Sequence, residues 1–104
     1  MGGFNMNHIY IDIFVNKIEI YVVGYENDKR HKVKHDVILL PKSFDMGDKL
    51  YYIKKLISVI IEQYDIKAYK LNMDDDIGKE IIDAVKIEGV LEELFSCKGV
   101  ELWK

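Results

Sequence analysis

Asp12 stands in the run His8-Ile9-Tyr10-Ile11-Asp12-Ile13-Phe14-Val15, whose two faces are otherwise apolar. A carboxylate is costly to bury unless it is paired, protonated or metal-bound. Asp12 is therefore the first residue to ask for chemistry, as a single metal ligand or as a structural hydrogen-bond acceptor. Glu88 is the second. It falls seven residues after Ile81 and seven before Phe95, on or beside an apolar helical stripe. From there it either approaches Asp12 to share a metal or a proton, or it snorkels to the helix flank or pairs with a lysine such as Lys17. Asp74 opens a third set, Asp74, Asp75, Asp76, Glu80 and Asp83, which forms an acidic patch. Lys29, Arg30, Lys32 and Lys34, with His31 and His35 among them, form a basic one. The bland reading of both patches is a solvated loop or edge.

Other constellations are weak. His8, His31, His35 and Cys97 match no compact zinc spacing. Gly24 and Gly47 stand alone, so no glycine-rich phosphate loop is formed. Ser43, Ser58 and Ser96 have no histidine in a triad-like setting. The seven tyrosines read as core or interface aromatics rather than as base-stacking platforms.

The 104 residues suffice for one domain with one core, and 49% hydrophobic with 32% charged is the balance of a globular protein. A net charge of −3 argues mildly against a large nucleic-acid footprint. No apolar run approaches the roughly 20 residues that span a bilayer, and the start MGGFNMNHIYID lacks the regions of a signal peptide. Single Cys97 excludes an internal disulfide and fits a cytoplasmic location.

The elements that must position these residues follow from periodicity. Residues 1–7 predict a flexible leader, and residues 8–104 a single domain. Strands are expected at 8–15 and 18–25, joined by a tight turn at Asn16-Lys17. The first, apolar on both sides, predicts a central strand covered on both faces. Residues 26–32 read as a polar connection, and a third strand spans about 33–40 before Pro41. Ser43 or Asp45 caps a helix over about 46–64, with a stripe from Leu50 to Tyr64. A strand at 67–71, a helix at about 77–96 stopped by Gly99, and a last strand at 100–103 complete the chain. A helix between two strands predicts a right-handed parallel crossover.

The order β-β-β-α-β-α-β, the opening IYIDIFVNKIEIYVV, and the stretch KIEGVLEEL followed by GVEL together resemble the RNase H-like superfamily, in its Holliday-junction-resolvase-like branch. The resemblance spans nearly residues 8–103 and implies an α/β (α+β mixed) fold with a five-stranded mixed sheet. It further implies a pair of divalent ions, Mg²⁺ or Mn²⁺, held by carboxylates and cleaving phosphodiesters. Asp12 matches the family's first acid. The second lies at the end of the fourth strand, where this chain reads Tyr69-Lys70-Leu71-Asn72-Met73, with no carboxylate until Asp74. The third lies on a helix after the fifth strand, and the sequence runs one residue past Trp103. A lone Asp12 cannot hold a metal pair, so the chain reads as a shortened, catalytically degenerate version needing no cofactor.

Three functions follow. The first is a non-catalytic interaction protein, a phage or mobile-element inhibitor of a nucleic-acid enzyme, binding a protein partner through Asp74, Asp75, Asp76, Glu80 and Asp83. The second is a metal-dependent nuclease using Asp12, Asp74 and Glu88. The third is a small nucleic-acid-binding module using Lys29, Arg30, Lys32 and Lys34. Exposed sheet edges also allow a homodimer.

Overall fold

A computed structural model describes residues 6–14, 16–26, 29–41, 43–73 and 81–103. Its elements run β1 (Met6–Ile13), β2 (Lys17–Glu26), β3 (Lys29–Leu39), α1 (Met46–Tyr64), β4 (Ile66–Met73), α2 (Ile81–Cys97) and β5 (Glu101–Leu102). The five strands form one sheet in the order β3-β2-β1-β4-β5. β1 pairs antiparallel with β2 and parallel with β4, β2 pairs antiparallel with β3, and β4 parallel with β5. The mixed sheet and the element order are those the sequence predicts.

Alternation along β1 decides which residues go where. Ile9, Ile11 and Ile13 are fully buried, and so are Ile18, Ile20 and Val22 on β2. This face meets both helices. α1 contributes Ile53, Ile57, Ile60 and Ile61, and α2 contributes Ala84, Ile87, Leu91, Leu94 and Phe95, all within the same core. Phe95 stacks on Tyr69 of β4 with ring centroids 4.2 Å apart. β1 is thus central, but only one of its faces lies under the helices. The expectation of cover on both sides is corrected here. Tyr10 and Phe14 mislead because an aromatic can line an open sheet face while exposing its rim.

Local signals set the ends. Asp45 rather than Ser43 caps α1: its carboxylate accepts from the Asp48 N–H at 2.8 Å. Asp65 ends α1 in the left-handed region at φ 50°. Gly99 (φ 72°) ends α2, and the Val100 N–H reaches back to the Phe95 carbonyl at 2.8 Å. The first hairpin closes with the Phe14 N–H on the Lys17 carbonyl at 3.0 Å, so Lys17 belongs to β2 and not to the turn. β1 begins at Met6, inside the expected leader.

The basic stretch is strand rather than connection. Lys29–Leu39 pairs with β2 along its length, with a bulge where the register shifts between Val22 and Val23. It reads as a loop in sequence because charge masks its alternation. At a sheet edge such charge is tolerated and discourages pairing with other chains. Among the described residues no helix is long and apolar enough to cross a membrane.

Truncating the sealed row should be costly. Ile11→Ala is expected to lose about 2–5 kcal/mol, whereas Leu39→Ser, on a residue 68% exposed, should stay within about 0.5 kcal/mol. Urea melts of the two variants beside the wild type check the contrast.

Candidate functional site

The face of the sheet away from the helices carries the residues with chemical potential. Strand register lays them out in rows. One row reads Val37, Glu19, Asp12, Asn72 from β3 to β4. The next reads His35, Tyr21, Tyr10, Lys70. Beyond it lie Lys32, Val23, His8 and Ala68, then Arg30 and Tyr25. Glu19 has no site signal in the linear sequence and Tyr21 reads there as a core or interface aromatic; only the hairpin register sets them beside Asp12 and Tyr10.

Asp12 is half-buried on this face rather than sealed in a core. Water reaches it, so its carboxylate needs no compensating partner. Glu19 beside it accepts from the Tyr21 hydroxyl at 2.8 Å and from Lys17 Nζ at 3.4 Å. The Tyr21 bond, with Lys17 next, holds the Glu19 carboxyl below its ordinary range. The same bond, burial and the charges of Glu19 and Asp12 push the Tyr21 phenol up.

The buried, unpartnered polar group of β1 is instead His8. It is 1% exposed, and neither ring nitrogen has a hydrogen-bond partner. Tyr25 and Trp103 enclose it, at centroid distances of 4.7 and 4.3 Å. Burial lowers its pKa, because a charged imidazole there would be unsolvated. Trp103 is held in place by its N–H on the Tyr69 carbonyl at 2.8 Å. The Tyr25 hydroxyl meets that of Tyr10 at 2.9 Å.

Asp12 and Glu88 do not converge. Asp12 projects to the open face. Glu88 lies on α2, on the helix side, where burial, then the charge of Glu92 and last that of Glu88, push up the phenol of Tyr69 in the core. The sheet stands between them. Asp74, Asp75, Asp76 and Glu80 lie outside the described residues, and Asp83 is half-buried in the first turn of α2. Opposite Asp12 on β4 stands Asn72. An amide cannot supply the anionic oxygen that a hard divalent ion selects. Glu19, the nearest acid by register, already serves Tyr21 and Lys17. Among the described residues no group of three or more His, Cys, Asp or Glu could hold a metal ion. The donors among the described residues do not fit a catalytic metal pair. His8, His35 and Cys97 likewise do not assemble: His8 is enclosed by rings, His35 stacks on Tyr21, and Cys97 is exposed at the end of α2.

The basic set divides by alternation. Arg30 and Lys32 share the open face with Tyr25 and Val23, whereas Lys29, His31 and Lys34 pair with Glu26, Gly24 and Val22 on the other side of the strand. The Arg30 guanidinium lies over the Tyr10 ring at 5.6 Å.

Stability should fall on acidification for two named reasons. His8 has a folded pKa below its unfolded value of about 6.5, so the unfolded chain takes up a proton first. Its contribution is complete above that value and is lost as pH falls toward the lowered one. The Glu19 contribution, present above the ordinary glutamate range, is lost at lower pH as the carboxylate protonates. Urea midpoints measured from pH 8 to 4 should decline first near about 6.5, and His8→Leu should remove that first step. Tyr21→Phe should move the Glu19 titration upward in a carboxyl NMR experiment.

No protein-family model and no curated protein matches this chain. Solved structures do. Thermus thermophilus RuvC in complex with Holliday junction substrate superposes with a TM-score of 0.78 at 12% identity, over 94% of this chain and 62% of that one. A second Thermus thermophilus RuvC structure gives 0.75 at 13% identity, with the same coverage. An exopolyphosphatase from Cytophaga hutchinsonii gives 0.61 at 11% identity, over 93% of this chain and 33% of that one. The chain therefore spans less than two thirds of the RuvC chains it matches. At such identities the likeness is one of fold. The three-stranded antiparallel start, the parallel β1–β4 pair and the two helices on one face make this the RNase H-like fold in its RuvC-like form, without the acid set expected of it among the described residues.

Proposed function

We propose that this chain is a non-catalytic interaction protein on an RNase H-like scaffold, acting by occupying a partner. The observation that supports it best is the β1–β4 register, which sets the Asn72 amide beside Asp12 where the scaffold calls for a second acid. Glu88 on the far side of the sheet gives no substitute. The finer reading is a small phage or mobile-element inhibitor of a nucleic-acid enzyme. A 104-residue chain of net charge −3, rich in Ile, Lys, Asn and Asp, supports it. Asp74, Asp75, Asp76, Glu80 and Asp83 would be its contact residues, competing for a basic groove by charge complementarity.

A Mn²⁺ titration followed by thermal shift, on wild type, Asp12→Asn and Asn72→Asp, tests the reading. A working site at about tenfold over its Kd adds about 1.4 kcal/mol, or roughly 5 °C or more in a domain of this size. Wild type and Asp12→Asn should both stay still, while Asn72→Asp gains a shift. Stabilisation of the wild type that Asp12→Asn abolishes would sink the proposal and restore the nuclease. An unmoved Asn72→Asp variant would remove its structural basis.

A further inference from the structure

The row His35, Tyr21, Tyr10, Lys70 crosses four adjacent strands on the face that no helix of the described residues covers. Neighbouring strands are about 4.8 Å apart, so three rings and a cation form one continuous line. His35 and Tyr21 stack at 4.4 Å with planes 6° apart. Arg30 lies over Tyr10, and Lys32 shares the face one row on. Protection of a sheet edge accounts for cations on β3. It does not account for aromatic rings on β2 and β1 beside them, nor for Lys70 on the far side of those rings. Rings flanked by cations are the chemistry of single-stranded nucleic acid: unpaired bases stack on aromatic faces while Arg and Lys take the phosphates.

We infer that this open sheet face binds single-stranded nucleic acid, with bases on the Tyr21 and His35 rings and phosphates on Arg30, Lys32 and Lys70. A nucleic-acid surface here goes beyond the non-catalytic reading: it is distinct from the acidic contact residues and independent of any metal site. The net charge of −3 does not oppose it. At physiological salt, charges are screened beyond about 8 Å, so a strand feels the face it lies on. The acids nearest the ring row are Glu19 and Asp12, and Glu19 is engaged by Lys17 and Tyr21. Both phenols are protonated at neutral pH, since an ordinary phenol titrates at about 10 and both are pushed further up, Tyr10 chiefly by burial and Tyr21 chiefly by its bond to Glu19; neither ring carries a charge that would repel phosphate.

The experiment is fluorescence anisotropy with labelled oligo-dT and oligo-U, in EDTA, at two or more salt concentrations, with an unlabelled duplex as competitor. Both single strands are tried because stacking does not choose the sugar. Tyr21→Leu should weaken binding about fivefold to a hundredfold. Tyr21→Phe, which keeps the ring and loses only the bond to Glu19, should bind as wild type does. Arg30→Gln and Lys70→Gln should each reduce the slope of log K against log salt by about 0.7. Circular dichroism melts verify that each variant is folded. Absence of binding at low salt, equal competition by duplex, or equal affinity of Tyr21→Leu would each overturn the inference. So would a wild-type dimer in light scattering that Tyr21→Leu dissociates, since a second copy would then own the face. Adding Mg²⁺ separates the two proposals. Cleavage of a bound strand would end the non-catalytic reading and leave the face standing; failure to bind, with no cleavage, would end the face and leave that reading intact.

Discussion

The two-residue period of β1 governs the rest of the molecule. Ile9, Ile11 and Ile13 are sealed under both helices, so His8, Tyr10 and Asp12 must emerge on the opposite side. A slip of one residue would put Asp12 and His8 into the helix core and the isoleucines into water. Pairing with β2 on one side and β4 on the other makes that slip intolerable, since β2 carries its own sealed row of Ile18, Ile20 and Val22. The two faces of the sheet thus have separate tasks. One face contributes nearly all of the apolar burial. The other is left to polar and aromatic groups.

The open face holds two kinds of chemistry in adjoining rows. In the Asp12 row, the partners are an engaged glutamate and an amide, an arrangement suited to hydrogen bonding and not to gathering cations. In the rows toward the start of β1, rings dominate. His8 is closed over by Tyr25 and Trp103, and Tyr10 is bonded to Tyr25 and roofed by Arg30. Trp103 ties the short β5 edge to the centre of the sheet, since its backbone bonds Tyr69 while its ring rests on His8. Burial disfavours the charged imidazole there, because neither ring N–H has an acceptor.

The likeness to RuvC and the departure from its expected acids belong to different levels of the structure. Fold follows from the sequence of apolar rows and the crossover, and the fold is shared with RuvC at 12% identity. Catalysis on such a scaffold depends on a few oxygen atoms at set positions, and the residue opposite Asp12 on β4 is the amide Asn72. Glu88 illustrates the same separation. Its helical phase brings it near the core margin, as the sequence indicates, yet the helix packs on the face opposite Asp12.

By itself the sequence determined the element order, the central place of β1, a cap for α1 at Ser43 or Asp45, the Gly99 stop of α2, and the absence of an acid from Tyr69 to Met73 on β4. These are local or periodic properties, written in neighbours along the chain. Only the tertiary structure decided that one sheet face is open, that His8 rather than Asp12 is the buried group without a partner, and that the basic stretch is an edge strand whose alternate residues divide between faces. Each depends on which strand lies beside which and on where both helices dock. Apolar residues on two sides of a strand say that both sides prefer cover; they do not say that two covers are supplied. Strand register then does what no linear motif reveals, setting His35, Tyr21, Tyr10 and Lys70, from four separate segments, in a single line.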